Sequence, residues 1–391
     1  MWAVHTVRPT LLGGFLKPLD PEVKTARKIE RLSKENSELR AANRKLARNG
    51  AMFDDVVDEL RKSLTSAPIV YKGAPIAKHH ATSTKSLVAP GHAEIACLML
   101  SDLHIAEVVR AQDVNGMGTY NSLVAANRLH EVIDNAKKII RLHQSMYKID
   151  KIWVPLLGDM ISGSIHPELA STNDLSDPAA TVLAARLLSM ALLELETLGL
   201  PIQVSAHVGN HPRTTVTMPT KRKAESNYDW LCYEMLASML SDHPNIDIQI
   251  NTGQISIVEQ YGWRFVLEHG YGNKHNKEEE TEDRIRAIFD DPQYRDIARQ
   301  CGTTFHCVLI GDQHKPKFLA NTIVNGALTG WSELATAWRL RPVRACQQLF
   351  GISKGHMRTW AYSIDVTDIR SQKAENPFSE YTKEFLSLHK A

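Results

Sequence analysis

The sequence predicts an α/β protein of the α+β kind. Its core would be a four-layer α/β/β/α arrangement in which helices cover a pair of packed sheets, preceded by a coiled-coil helix. Three observations predict it. A heptad of apolar residues runs over 22–64; from residue 93 short apolar runs alternate with long amphipathic ones; and beyond about residue 245 the short runs dominate.

In the heptad, one seam carries Leu32, Leu39, Leu46, Phe53 and Leu60, and the other Ile29, Asn36, Asn43, Gly50, Val57 and Leu64. A buried Asn can pair with its twin across a dimer axis, so the pattern points to a parallel two-stranded coil and a homodimer or higher homo-oligomer. Glu35 and Arg40 stand where ion pairs between the helices would form. Gly50 weakens the second half, and a single solvated helix packed on the body is the alternative. Residues 1–21 read as an arm. Residues 65–92, with Pro68, Pro75 and Pro90, read as a linker in which His79 and His80 are solvated.

A catalytic domain is expected over 93–370, with a tail at 371–391. Buried strands are predicted at 95–100, 152–157 and 202–208, with helices at 121–143, 179–198 and 225–240 between and after them. Later strands fall at 246–250, 255–259, 264–268, 305–310 and 322–324, with one more helix near 280–300.

Composition narrows the setting. Lys+Arg number 46 against 44 Asp+Glu, so bulk charge does not mark a nucleic-acid binder, and any basic surface must be local. The five cysteines, Cys97, Cys232, Cys301, Cys307 and Cys346, form no C-x-x-C pair and read as reduced core thiols of a cytoplasmic protein. The first residues lack the basic start and apolar core of a secretory signal. The most apolar stretch, 179–200, contains Arg186, Glu194 and Glu196, which suit an amphipathic helix and not a membrane span.

The chemistry is written at the strand ends. Asp102 and His104 follow the first strand, Gly158-Asp159 the second and Gly209-Asn210-His211 the third. His269-Gly270 and Gly311-Asp312-Gln313-His314 follow two later ones. Open α/β sheets place ligands at strand C-termini, so five ends would converge on one crevice. Asp102 and His104, two apart on extended backbone, face the same side, and Asp159 could offer one oxygen to each of two cations. Oxygen and imidazole donors without thiolate suit Mn²⁺, Mg²⁺, Fe or Zn²⁺. The glycines let the chain turn tightly before each polar residue.

This ordered set resembles the calcineurin-like metallophosphoesterase superfamily, whose pattern runs D-x-H, G-D, G-N-H-[DE], H and G-H-x-H, over roughly residues 93–365. The resemblance implies the four-layer metallophosphoesterase sandwich and two divalent cations, Mn²⁺ foremost. It implies that Asp102, His104 and His314 hold the first metal, Asn210 and His269 the second, and Asp159 both. His211 would be the catalytic histidine, with Asp159 beside it at the reaction centre. Asp312 stands where a histidine normally binds the second metal; a carboxylate can still ligate and hardens the site toward Mn²⁺ or Mg²⁺. Pro212 replaces the usual acidic residue, which leaves the orientation of His211 open.

Flanking segments look like those of metallophosphoesterases encoded by tailed phages and prophages. They are Val114-Asn115-Gly116 with Tyr120-Asn121, Ile165-His166-Pro167-Glu168-Leu169, Val324-Asn325-Gly326-Ala327-Leu328 and Cys346-Gln347-Gln348-Leu349-Phe350. The resemblance implies a DNA-processing enzyme, in the host cytoplasm if phage-encoded. Two cations about 4 Å apart can bind phosphate and make a hydroxide nucleophile near neutral pH. The expected function is therefore a DNA nuclease, exo- or endo-. The alternatives are a phosphomonoesterase or cyclic-nucleotide phosphodiesterase, and a non-catalytic binding or structural protein on a degenerate scaffold.

For substrate, Arg213, Lys221, Arg222 and Lys223 follow the third motif and would contact phosphates flanking the scissile one. The acidic run Glu278, Glu279, Glu280, Glu282 and Asp283 would oppose DNA if it faced the same groove. Trp331 and Trp338 could stack on bases or lie in the core. His166 could reach the site or make a loop contact; His207 and His306 read as core histidines, His275 and His356 as solvated.

Overall fold

The computed structural model describes residues 93–219, 221–253, 256–270, 295–296, 299, 304–337, 342–367 and 375–389. The arm, coil and linker, the acidic run, His275, Trp338 and most of the helix expected near 280–300 lie outside these.

Four parallel strands, β1 (Ala93–Leu98), β2 (Lys148–Leu156), β3 (Ile202–Ala206) and β4 (Ile246–Ile250), form most of the first sheet. Their register aligns Ile152 with Ile202 and Ile202 with Ile246, so β-branched side chains share one row across the sheet. Two strands not anticipated from the sequence complete it: β10 (Cys346–Ser353) runs antiparallel beside β1, and β11 (Ala361–Asp365) beside β10.

Parallel neighbours need crossovers, and helices supply them. They are α1 (Ser122–Gln144), α3 (Asp177–Glu196) and α4 (Tyr228–Met239), with the short α2 (Pro167–Thr172) between the first two. α1 begins where the Asn121 side chain accepts from Val124 N at 2.9 Å. It buries Leu129, Val132, Ile133, Ala136 and Ile140, the spacing of one helical face. α3 is long and apolar enough to cross a membrane by length and composition, but it packs against α1, α4 and β3 with Leu183, Ala184, Leu187, Leu188 and Leu195 buried.

The second sheet has the order β5 (Ser256–Gln260), β6 (Trp263–Glu268), β7 (Cys307–Ile310), β9 (Thr322–Val324), β8 (Lys317–Phe318), with β6, β7 and β9 parallel. It packs on the first through Ile95, Cys97 and Trp153 on one side and Phe265, Leu267, Leu309 and Ile323 on the other. Alternate residues of each strand supply this layer, each large apolar side chain contributing about 1.5–3 kcal/mol. The opposite face buries Val266, Val308 and Ile310; the helix expected over it falls mostly outside the described residues.

Residues read from sequence as a tail contain α6 (Pro377–His389), which packs on α1 and α3 through Phe378 and Phe385. A short helix, α5 (Glu333–Ala337), follows Trp331, whose side chain is buried. Cys97, Cys232, Cys307 and Cys346 are free and buried. His306 lies just before β7, where its Nδ1 accepts from Arg264 N at 2.9 Å, and His356 is exposed.

His207 is a core histidine. Its Nδ1 accepts from Asn251 Nδ2 at 3.0 Å. Burial, with Lys223 and His269 adding, lowers the imidazole to about 3. An unfolded chain takes up that proton near pH 6.5 and the folded one does not. The stability held by this group is thus intact above about pH 6.5 and lost as pH falls toward 3, by up to ~1.4 kcal/mol per unit. His207→Asn, which keeps an acceptor for Asn251, is expected to flatten the decline of the urea midpoint between pH 6.5 and 4; an unchanged decline contradicts this.

Candidate metal centre

Two glycines let the strand ends meet. Gly158 has φ +92°, and a Cβ there would sit 2.2 Å from Gly209 N; a Cβ on Gly209 would sit 2.0 Å from Asp159 Oδ1. Any side chain at either position would push the two loops apart. The loop after β1 lies along the loop after β2, with Asp102 N donating to Gly158 O and His104 N to Asp159 O, each at 3.0 Å. β6 and β7, parallel in the facing sheet, bring His269, Asp312 and His314 to the same mouth.

All seven residues expected to ligate come together. Among the described residues, three sets of side-chain donors lie within 4.8 Å of one another: Asp102, His104 and His314; Asp102, Asp159 and His269; and His104, Asp159 and His211. In the first, His104 Nε2 lies 3.2 Å from His314 Nε2, and the latter 3.3 Å from Asp102 Oδ1. Around His269, Nε2 lies 2.9 Å from Asp159 Oδ2, 3.0 Å from Asn210 Oδ1 and 3.7 Å from Asp312 Oδ1. Asp159 Oδ2 is also 3.9 Å from His104 Nε2, so it stands between the two groups.

This donor set fits divalent cations. His269 Nδ1 faces the Leu157 carbonyl at 2.7 Å, which can only accept, so Nδ1 carries a proton and the lone pair of neutral His269 points at Asp159 and Asn210 oxygens. Acceptors aimed at one another call for a positive charge between them. Without one the protein supplies a proton: burial would lower His269, but Asp159, with Asp102 and Asp312 behind it, pushes it up to about 10. Burial would likewise raise Asp159, yet the surrounding histidines hold it well below the usual carboxylate range. Burial lowers His104 to about 3, which keeps its ring neutral, and burial raises Asp312.

Backbone conformation marks the same residues. Asp102, His104, Asp159, Asp312 and His314 have φ of 53°, 44°, 58°, 60° and 54°, in the left-handed region that costs a side chain about 1–2 kcal/mol. They are five of nine such non-glycine residues among those described, and strain of this kind gathers at functional sites.

His211 is oriented despite Pro212. Its backbone N donates to Asp159 Oδ1 at 2.9 Å, and its Nδ1 lies 2.9 Å from the Ser162 carbonyl, which only a Nδ1–H can satisfy. That leaves Nε2 as the unprotonated nitrogen of the neutral ring, whose centroid is 4.7 Å from that of His104. His166 reaches this edge of the site, its ring centroid 6.0 Å from that of His211.

Other partners were not foreseen. Asp102 accepts from Ser101 Oγ on Oδ2 and from Asp312 N on Oδ1 at 3.0 Å. Ser101 Oγ in turn accepts from Asn325 Nδ2 at 2.9 Å, and Gln347 Oε1 accepts from Ser101 N at 3.0 Å and Asn325 Nδ2 at 2.7 Å. Asn325 and Gln347 belong to the two late segments whose sequences had stood out without a role. Glu107 Oε2 lies 3.5 Å from His104 Nδ1.

The basic cluster departs from expectation. Arg213 donates to the carbonyls of Asn210, Thr215 and Val216 at 2.8, 3.1 and 3.2 Å, bracing its own loop. Lys223 is only 8% exposed and does not extend over the rim; burial lowers its pKa. Lys221 and Arg222 are exposed, Arg222 lying 3.7 Å from Glu225.

No family model and no curated protein sequence matches the chain. Among solved structures it is similar to zinc-complexed Vps29 from Entamoeba histolytica, at 10% identity over 69% of this chain and 99% of that one, with a TM-score of 0.26. It is similar to a dimetal phosphatase from Danio rerio at 12% identity over 69% and 98%, with a TM-score of 0.29. It is also similar to a 5′-nucleotidase precursor from Thermus thermophilus at 11% identity over 76% and 58%, with a TM-score of 0.30. Likenesses this distant decide neither the chemistry nor the substrate of this chain.

Proposed function

We propose that the chain is a two-metal phosphoesterase that hydrolyses phosphodiester bonds in nucleic acid, DNA foremost. One observation carries the reading: three overlapping sets of imidazole and carboxylate donors, each within 4.8 Å, share Asp102, His104 and Asp159 at the ends of parallel strands. Asp102, His104 and His314 would hold one cation; Asn210, His269 and Asp312 the other, with Asp159 between them. When bound, such a pair polarises a phosphoryl group and lowers the pKa of water.

The chain's own residues do the rest. Ser162 fixes the His211 tautomer, so Nε2 is the atom that can hold a proton for the leaving oxygen. Lys221 and Arg222, exposed on the loop after His211, can meet neighbouring phosphates, the sequence-independent part of nucleic-acid binding. The phage-like segments support DNA as substrate, the heptad over 22–64 supports a dimer, and the carboxylate at 312 favours Mn²⁺ over softer ions. A cytoplasmic setting belongs to the same reading.

Turnover of bis-p-nitrophenyl phosphate, p-nitrophenyl phosphate and end-labelled single- and double-stranded DNA tests it. Cleavage of the diester and of DNA is expected with Mn²⁺ and is expected to stop with EDTA. A preference for the monoester would make the protein a phosphatase. No turnover with Mn²⁺, Mg²⁺, Fe²⁺ or Zn²⁺ would leave a binding protein.

A further inference from the structure

A fully buried carboxylate that ligates nothing lies behind the centre. Asp229, in the first turn of α4, accepts from Asp159 N at 2.8 Å and Gly209 N at 2.8 Å on Oδ2, and from Met160 N at 3.0 Å on Oδ1. Asn227 steadies it from two residues earlier, accepting from Asp229 N at 2.8 Å while its Nδ2 donates to Gly209 O at 2.9 Å. Gly158 and Asp159 both have positive φ, and such turns aim successive backbone N–H groups at one point, a concavity that seats an anion. Here the anion is a side chain, brought by a helix from outside both loops.

We propose that Asp229 is a positioning residue: by tying the Gly158–Met160 loop to Gly209, it sets the separation of Asp159 from Asn210 and thereby governs the second cation, which both residues would hold, more strongly than the first, which only Asp159 of the two would touch. The inference rests on the two-metal reading above. Asp159 Oδ2 and Asn210 Oδ1 both lie about 3 Å from His269 Nε2, at 2.9 and 3.0 Å, and the peptide groups beside them are the ones Asp229 holds. Asp102, His104 and His314 stand at the ends of β1 and β7; Asp229 accepts no hydrogen bond from them among the described residues, and Asp102 and His104 meet the tied loop through backbone N–H groups on the carbonyls of Gly158 and Asp159. Sequence could not show this link, because nothing about an Asp near a helix start reveals which distant N–H groups it will meet.

An amide at 229 would set an N–H group against backbone N–H donors. Mn²⁺ titration calorimetry on the metal-stripped full chain tests the consequence in wild type, Asp229→Asn and Asn227→Ser, the last retaining a helix cap while losing the bond to Gly209 O. His269→Ala identifies which binding step belongs to the second cation. Asp229→Asn is expected to weaken that step about 10–100-fold, as loss of an outer-shell partner does, and to weaken the other step, in which Asp159 alone of the two takes part, clearly less. Asn227→Ser is expected to weaken the same step less. Equal affinities in all three proteins, weakening of the first step alone, or parallel loss of both steps with a lower metal-free unfolding midpoint would each overturn the inference. Should Asp229→Asn not fold, Asn227→Ser decides alone, an unchanged second step overturning it. Wild type that binds fewer than two Mn²⁺ would remove the two-metal reading itself, and this inference with it.

Discussion

Asp159→Ala is expected to eliminate diesterase turnover and to weaken both Mn²⁺ binding steps by more than the ~10–100-fold that loss of an outer-shell partner costs. The reason is position. Asp159 Oδ2 lies 2.9 Å from His269 Nε2 and 3.9 Å from His104 Nε2, so one oxygen serves both halves of the site. Its other oxygen receives the His211 backbone N–H at 2.9 Å. Removing the carboxylate would therefore take away the proposed shared ligand and unfasten His211 together. Calorimetry and the bis-p-nitrophenyl phosphate assay check this on one preparation. Retention of two tight Mn²⁺ steps by the variant would show that Asp159 does not bridge.

His211→Ala is expected to behave in the opposite way, losing about 10²–10⁴-fold in kcat while both Mn²⁺ steps stay within about threefold. Its imidazole is anchored through Nδ1 to the Ser162 carbonyl, and its ring meets His104 edge-on at 4.7 Å. That placement suits proton handling at the phosphoryl group, and two of the three donor sets, Asp102 with His104 and His314 and Asp102 with Asp159 and His269, form without it. Wild-type turnover would remove His211 from the mechanism. Loss of a Mn²⁺ step would make it a ligand, as its membership of the set with His104 and Asp159 allows.

The two variants also show what kind of information the sequence holds. Asp102, His104, Asp159, Asn210, His211, His269, Asp312 and His314 were legible because each follows an apolar run, often across a glycine, and parallel strands deliver their C-termini to one side. β1, β2 and β3 announced themselves for the same reason. β10 did not: Gln347 and Gln348 interrupt its apolar run, and they are buried because Ser101, Asn325 and Gly326 satisfy the side chain of Gln347 while Val324 and Ser363 satisfy that of Gln348. Periodicity cannot register a partner more than two hundred residues away, as Ser101 is from Gln347.

Two of the four basic residues, Arg213 and Lys223, are placed otherwise than their sequence suggests, for a similar reason. A run of Arg and Lys after a motif suggests a solvated rim, but Arg213 spends its donors on Asn210, Thr215 and Val216, and Lys223 is buried. α6 was hidden because its buried face rests on little more than Phe378, Thr382 and Phe385. Helix contacts, not composition, decide that those residues are core.

The left-handed backbone at Asp102, His104, Asp159, Asp312 and His314 bears on how this protein could change. Glycine would relax the backbone at each of these positions by roughly 1 kcal/mol while deleting a proposed metal donor. A laboratory lineage selected for heat resistance alone would drift toward glycine at those codons and become a sturdier, inert protein. A lineage held to turnover must find its added stability elsewhere, in α1, α3 and the layer between the sheets.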